Sequence, residues 1–197
     1  RGDPSEEVLE TLTRVIEDQL PGSQASLLLL EGDRLRRGPA PSLPGEYLEL
    51  LDGLRIGPRE GSCGSAAALG QSVLVEDVLE DPRWVRYLDF PRRFGFRACW
   101  SVPLKGADGR VLGTFAIYRA EPSSPDPHTL ELLERAAQLG ALALERSRTL
   151  EALRLSNERL SLIHRSAPMG IVLSELATGR VLEANDAWLE MGGYSRE

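Results

Sequence analysis

The chain has 197 residues, 42% of them hydrophobic and 27% charged, with a formal net charge of −7. That length allows one domain of about 150 residues with a sizeable core, plus part of a second. The acidic balance, with no basic stripe gathering the 23 Lys and Arg, excludes a general nucleic-acid binder but not a local anionic ligand. Two cysteines, Cys63 and Cys99, without CxxC or Cys/His spacing, fit a reducing, cytoplasmic compartment and no structural zinc. No apolar run reaches the length of a membrane span and no signal-peptide pattern opens the chain. Without an initiator Met, and ending on GGYSRE, it is expected to be a piece of a longer protein.

Asp3-Pro4-Ser5-Glu6 reads as an N-cap, a Pro at the first helical position and an early Glu. Val8, Leu9, Leu12, Val15, Ile16 and Leu20 then recur on one helical face, which Pro21-Gly22 stops. Ala25 to Glu31 is the continuous apolar run of a buried strand, followed by a Gly32-Asp33 turn and a short strand at Leu35–Arg37. Pro39, Pro41 and Pro44 make a loop, and a short helix spans about Glu46 to Leu51. After turns at Gly57-Pro58 and Gly61, a small-residue helix spans about Ser62 to Leu69 and Gly70 ends it. Ser72 to Val75 is strand-like, and Asp81-Pro82 opens a short helix carrying Trp84 and Tyr87. Strands at Ala98–Leu104 and Arg110–Tyr118 flank the hairpin turn Lys105–Gly109. The class is α+β, an antiparallel sheet flanked by helices.

From Asp126-Pro127 a helix of about 38 residues, roughly 57 Å at 1.5 Å per residue, runs to about His164. Leu139, Ala143, Arg146, Leu150, Leu153, Asn157, Leu160 and His164 follow alternating three- and four-residue steps, a heptad seam with a register-setting Asn. It predicts a parallel homodimer; a monomeric amphipathic helix lying on the sheet is the other reading.

The segments Gly61-Ser62-Cys63-Gly64, Val75-Glu76-Asp77, Asp81-Pro82-Arg83-Trp84, Gly95 to Leu104 (GFRACWSVPL) and Gly109 with Val111 to Ala116 occur in an order that resembles the GAF domain. The resemblance covers roughly Glu6 to Arg148. It implies a ligand pocket between the sheet and the helices crossing it, with Ser62, Cys63, Ser65, Trp84, Tyr87, Trp100, Ser101 and Phe115 as candidate lining. It also implies a sensory module of the kind found in bacterial sensor histidine kinases or cyclic-di-nucleotide enzymes, whose output domain would follow in cis and whose long helix carries the signal. The tail, Arg159 to Glu197, looks like the start of a PAS domain: a Gly170–Val172 strand, a Gly179–Leu182 turn and strand, and Asn185 opening a helix toward Gly193-Tyr194-Ser195. Taking residues 1–148 as GAF, 149–165 as a coiled-coil linker and 166–197 as a truncated PAS start, the tail should be unable to close its own sheet or form a pocket.

Cys63 sits at the expected start of a helix, where exposed N–H groups lower a thiol pKa. Free methionine sulfoxide reductases are similar proteins with a cysteine in a comparable turn, but their resolving cysteines have no match here. Cys63 therefore stands either as a nucleophile or as a small buried residue. Phytochrome-like members attach bilin through a cysteine before the last strands, and Trp84 to Phe94 holds neither Cys nor His. Haem is not expected either, because His128 and His164 both lie on the long helix. The glycines match neither a phosphate loop nor a dinucleotide fingerprint. Trp84, Trp100 and Phe115 read as a stacking wall for a ligand or as a plug that fills the pocket. Arg92, Arg93 and Arg97 read as a solvated face or an anion clamp. No catalysis is expected of this segment, and the ligand stays unknown.

Overall fold

A computed structural model describes residues 4–194. Asp3 and Ser195, placed by the sequence at an N-cap and a helix end, lie outside the described residues. The elements run α1 (Pro4–Gln19), β1 (Ser23–Glu31), β2 (Arg34–Arg37), α2 (Gly45–Leu51), β3 (Leu54–Arg55), α3 (Gly61–Leu69) and β4 (Val73–Val75). A 3₁₀ segment at Pro82–Tyr87 and α4 (Asp89–Phe94) lead to β5 (Ala98–Lys105), β6 (Val111–Arg119) and α5 (Pro127–Ser166). A hairpin of β7 (Val172–Ser174) and β8 (Val181–Ala184) precedes α6 (Asp186–Gly192). The α+β class is as expected. The sequence reading missed β3 and α4, both too short for periodicity to register.

Contacts divide the chain into two units at Ser147/Arg148. In the first, six antiparallel strands are ordered β3-β2-β1-β6-β5-β4. Pro103, which lacks a ladder donor, sits on β5 just past Ser101, the last residue opposite β4 in register, so its missing N–H removes no pairing on that side. Each face of the sheet carries its own core. One joins Leu28, Cys99, Ala116 and Tyr118 to Tyr47 and Leu51 of α2, Cys63 and Ala66 of α3, Trp84 and Phe96. The other joins Leu27, Trp100, Val102, Leu104, Phe115 and Ile117 to Leu9 and Ile16 of α1 and to Leu133, Ala137 and Leu144 of α5.

Of the apolar face expected on α1, Leu9 and Ile16 are buried and Leu12 is packed against the core, whereas Val8 and Val15 are exposed. Thr13 is buried instead, because its hydroxyl donates to the Leu9 carbonyl at 2.8 Å. Gly140, the one glycine inside α5, does not interrupt it. A Cβ there would stand 3.2 Å from Leu104 Cδ2 and 3.3 Å from Leu9 Cδ2, so the glycine lets the helix approach both.

In the second unit, Asn185 caps α6 by accepting from the Trp188 N–H at 3.0 Å. The same oxygen accepts from Ile171 N–H at 2.7 Å, and the amide donates to Met169 O at 2.9 Å. Against the expectation, an open groove forms here, with His164 in its wall beside Leu182 and Trp188. Two strands leave such a face uncovered.

Candidate functional site

The site lies on the first face, between α3 and the sheet. Helix α3 is built of Gly, Ser, Cys and Ala, so it can lie against the strands, and every residue from Gly61 to Ala67 is buried. Beneath it β5 and β6 present Cys99, Ser101, Thr114, Ala116 and Tyr118, the alternate residues whose neighbours face α5. The 3₁₀ segment is locked on by a relay. Trp84 Nε1 donates to Ser62 Oγ at 3.1 Å, and Ser62 Oγ donates to the Cys99 carbonyl at 3.0 Å. Asp81 caps that segment by accepting from Arg83 N–H at 2.8 Å. Asp77 accepts from Arg97 Nε at 3.1 Å, and that guanidinium holds its carboxyl below the usual range.

Between these elements is a cavity of about 20 Å³, edged by Tyr47, Ser62, Cys63, Trp84, Tyr87, Phe90 and Tyr118, with Glu60 also in its wall. A water needs on the order of 10–15 Å³ of such space, so only a very small group fits without side-chain movement. The walls are aromatic. Tyr47 meets Tyr118 edge-on at 5.5 Å and Phe90 at 6.2 Å, and Tyr87 lies 5.6 Å from Phe90. Glu60 accepts from Arg86 at 2.9 Å and from the Tyr87 hydroxyl. Burial first, and the Glu60 carboxylate second, push the Tyr87 phenol up to about 12.

Of the eight residues expected to line the pocket, Ser62, Cys63, Trp84 and Tyr87 come together around this cavity. Ser65 and Ser101 are buried on the same face without edging it. Trp100 and Phe115 are corrections: both lie in the opposite core with α1 and α5. Trp100 instead donates to the Ser123 carbonyl at 2.8 Å, and the Arg119 guanidinium lies 5.8 Å from its ring centre. Tyr47, Glu60, Phe90 and Tyr118 were missed. Tyr47 stands on a helix whose apolar residues gave no hint of which face the fold would bury. Arg97 and Arg93 pair with Asp77 and Glu46, as a structural and a solvated contact respectively, and form no anion clamp here.

The cavity floor is polar. Tyr118 donates to or accepts from Ser26 at 3.1 Å, and its hydroxyl is 3.8 Å from Cys63 Sγ. Ser101 and Thr114 lean toward the same sulfur, yet neither hydroxyl completes a hydrogen bond, and those of Tyr47 and Ser65 are likewise unpartnered. A hydrogen bond from Cys99, ahead of those polar neighbours, holds the Cys63 thiol down to about 7 despite burial. Burial pushes Cys99 well up, so Cys63 is the first of the pair to ionise. Replacing Cys99 with alanine is expected to move the Cys63 midpoint upward, read by ultraviolet thiolate absorbance against pH; an unmoved midpoint would show that Cys99 is not its main donor. Among the described residues, no group of three or more His, Cys, Asp or Glu could hold a metal ion. No described helix is long and apolar enough to cross a membrane.

Several known proteins share this fold. A domain assigned to a two-component sensor histidine kinase of Sinorhizobium meliloti 1021 superposes with a TM-score of 0.65 at 23% identity, over 78% of this chain and 99% of that one. The free methionine-R-sulfoxide reductase of Neisseria meningitidis, in complex with its substrate, superposes with a TM-score of 0.61 at 21% identity, over 76% and 83%. At these identities the likeness is one of fold. A methyl sulfide methyltransferase-associated sensor of Methanosarcina acetivorans is 29% identical over 194 residues, 98% of this chain and 19% of its own length. The chain thus spans about a fifth of that relative. The family model for the GAF domain matches residues 4–144. The chain belongs to the GAF domain family.

Proposed function

We propose that this chain is the sensory or regulatory part of a signal-transduction protein, without catalysis of its own. A small molecule enters between α3 and the sheet, and α5 relays its presence to domains that follow in the same polypeptide. The observation that carries this reading is the set of four buried, unpartnered hydroxyls on the α3 face of the sheet, on Tyr47, Ser65, Ser101 and Thr114, of which Tyr47 edges the cavity. Leaving a buried donor unsatisfied costs about 1–3 kcal/mol, and a core kept only for packing would have apolar residues there. The sensor name of the Methanosarcina relative supports the same reading.

Relay through α5 rests on its continuity. The helix packs on the sheet through Leu133, Ala137, Ala141 and Leu144, so its first half moves with the strands. Beyond Ser147 its apolar residues are exposed, Leu153 at 57% and Leu160 at 61%. Leu139 and Leu150, at 55% and 56%, continue that seam. Burying such side chains is worth about 1.5–3 kcal/mol each, which favours a parallel dimer along the helix. We expect the chain to sediment as a dimer at tens of micromolar, and the double change L153E/L160E to make it a monomer without lowering helix content. A monomeric parent chain would remove the physical basis of the relay. Residues 166–197, with the β7–β8 hairpin and Asn185-capped α6, are read as the opening of a PAS domain, and a histidine kinase or cyclic-di-nucleotide enzyme as the output.

The test of the sensor reading is a thermal-shift screen with nucleotides, tetrapyrroles and small acids. A compound bound only by the folded state must raise the Tm, by RT ln(1 + [L]/Kd) in free energy. A chain that no compound stabilises would be a dimerisation scaffold. A second reading, free methionine sulfoxide reduction, is favoured by the lowered Cys63 thiol and opposed by its burial at 5% exposure. Turnover of free methionine sulfoxide with a thiol reductant, lost in Cys63→Ser, would establish that reading instead.

A further inference from the structure

Resting on the sensor reading, we propose that the α3 cavity takes a small organic ammonium ion of the methylated, quaternary type. The first ground is the wall. Tyr47, Trp84, Tyr87, Phe90 and Tyr118 all edge one space of about 20 Å³. Tyr47 stands at 88° to Tyr118 and 85° to Phe90, Trp84 at 81° to Tyr87, and Tyr87 is tilted by 51° from Phe90, so none of these pairs is parallel and the rings form a box rather than a slot. A slot between parallel rings would select a flat aromatic ligand. A box of ring walls suits a compact, roughly spherical cation, whose charge is attracted by the ring quadrupoles.

The second ground is the sign of charge. Glu60 is the sole carboxylate in the lining, with its side chain only 14% exposed, and Cys63 is the other lining group able to turn negative. No Lys or Arg edges the cavity. Arg86 and Arg55 are the cations acting on Tyr87, and both are exposed at the surface. An anion entering this space would meet a half-buried carboxylate and no counter-charge, whereas a cation would find one. Tyr87 helps in two ways. Its phenol is pushed up to about 12, so it stays neutral and keeps donating to Glu60, which holds the carboxylate at the wall. The partner that a ligand cation would displace, Arg86, has 74% of its side chain in solvent, and releasing it to water costs little.

The third ground is the unpartnered Tyr47 hydroxyl. It edges the cavity beside Ser62 and Tyr118 and is free to accept or donate one hydrogen bond, which suits an alkylammonium ion bearing one polar arm. The cavity as it stands is too small for such a cation, so its entry requires Tyr87 and Phe90, both only half-buried, to move outward.

The experiment uses choline and its uncharged isostere, in which carbon replaces the nitrogen, titrated into the whole chain by calorimetry with Trp fluorescence as a second readout. The two probes have the same shape and differ only in charge. Choline is expected to bind at least about tenfold more tightly than the isostere. Glu60→Gln should weaken choline about tenfold and leave the isostere unchanged. Tyr87→Phe keeps a ring in the wall and should hold choline affinity within about threefold, whereas Tyr87→Leu should lose about tenfold, which separates the ring from its hydroxyl should Glu60→Gln fail to fold. Equal binding of both probes, no binding of choline, or a preference for small carboxylates or phosphates would overturn the inference. A neutral or anionic compound that raises the Tm would then leave the sensor reading standing, and the failure of every compound in the broad screen would remove that as well.

Discussion

Replacing Tyr47 with alanine is expected to lower stability by about 4 kcal/mol, while Tyr47→Phe leaves it unchanged or raises it slightly. The ring is fully buried and meets Phe90, Phe94, Phe96 and Tyr118 within 5.0–6.2 Å. Truncating such a ring leaves a cavity that α2 and the sheet cannot both close, and aromatic-to-alanine changes in cores cost about 3–5 kcal/mol. For a chain of this size that lowers the Tm by roughly 8–16 °C. The hydroxyl is a different matter. It is buried without a partner, so removing it relieves a desolvated donor of about 1–3 kcal/mol and forfeits no bond of the free protein. Thermal melts of the two variants decide between the accounts. A clear loss of stability in Tyr47→Phe would mean that the hydroxyl is bonded in the free state, and the pocket would lose its main sign of a missing partner.

Gly64→Ala is expected to cost about 3 kcal/mol and to disturb the pocket more than the sheet. A Cβ at Gly64 would stand 2.6 Å from the Arg55 carbonyl oxygen and 2.7 Å from Glu60 Cβ. The first of these atoms is backbone and cannot swing aside. The chain closes on itself there, with Gly57 N–H donating to the Gly64 carbonyl at 3.1 Å. Forcing α3 outward would pull Ser62 from the Cys99 carbonyl and Trp84 from Ser62, both links of one relay. Overpacking usually costs about 1–3 kcal/mol, and a rigid obstacle places this change at the upper end. The relay gives the prediction its second readout: Trp84 emission should shift to the red as its indole N–H meets water, in native conditions and before the melt. An unchanged spectrum would mean that α3 tolerates the methyl without moving.

Much of the fold could be read along the chain because its signals are local. Pro and Gly mark the ends of α1 and α3, the apolar run of β1 is bounded by turns, and nothing from Pro127 to Ser166 breaks the helix, its one glycine being explained by packing. The family was legible for the same reason, since its motifs are short segments in a set order, and the match over residues 4–144 agrees with it. The site was legible where the motif itself builds it, at Ser62, Cys63, Trp84 and Tyr87.

Parity within β5 and β6 was not legible. Every residue from Ala98 to Leu104 and from Leu112 to Tyr118 is buried, because helices cover both faces of the sheet. A strand with one wet face announces its inner face by alternation, but a strand covered on both sides has none to read. Trp100 and Phe115 were therefore assigned to the wrong core, while Cys99 and Tyr118, one residue along or opposite, pack beneath α3, where Tyr118 edges the cavity. Tyr47 reaches the site from α2 through packing that no local pattern encodes, whereas Glu60 directly precedes the Gly61–Gly64 segment and is fixed there by Tyr87 and Arg86. The sequence by itself determined the order of elements, the family and the long unbroken helix, since these depend on short-range turn chemistry and periodicity. Only the tertiary structure decided which side chains meet beneath α3 and that their charge is negative, because both depend on the register and coverage of a sheet buried on two faces.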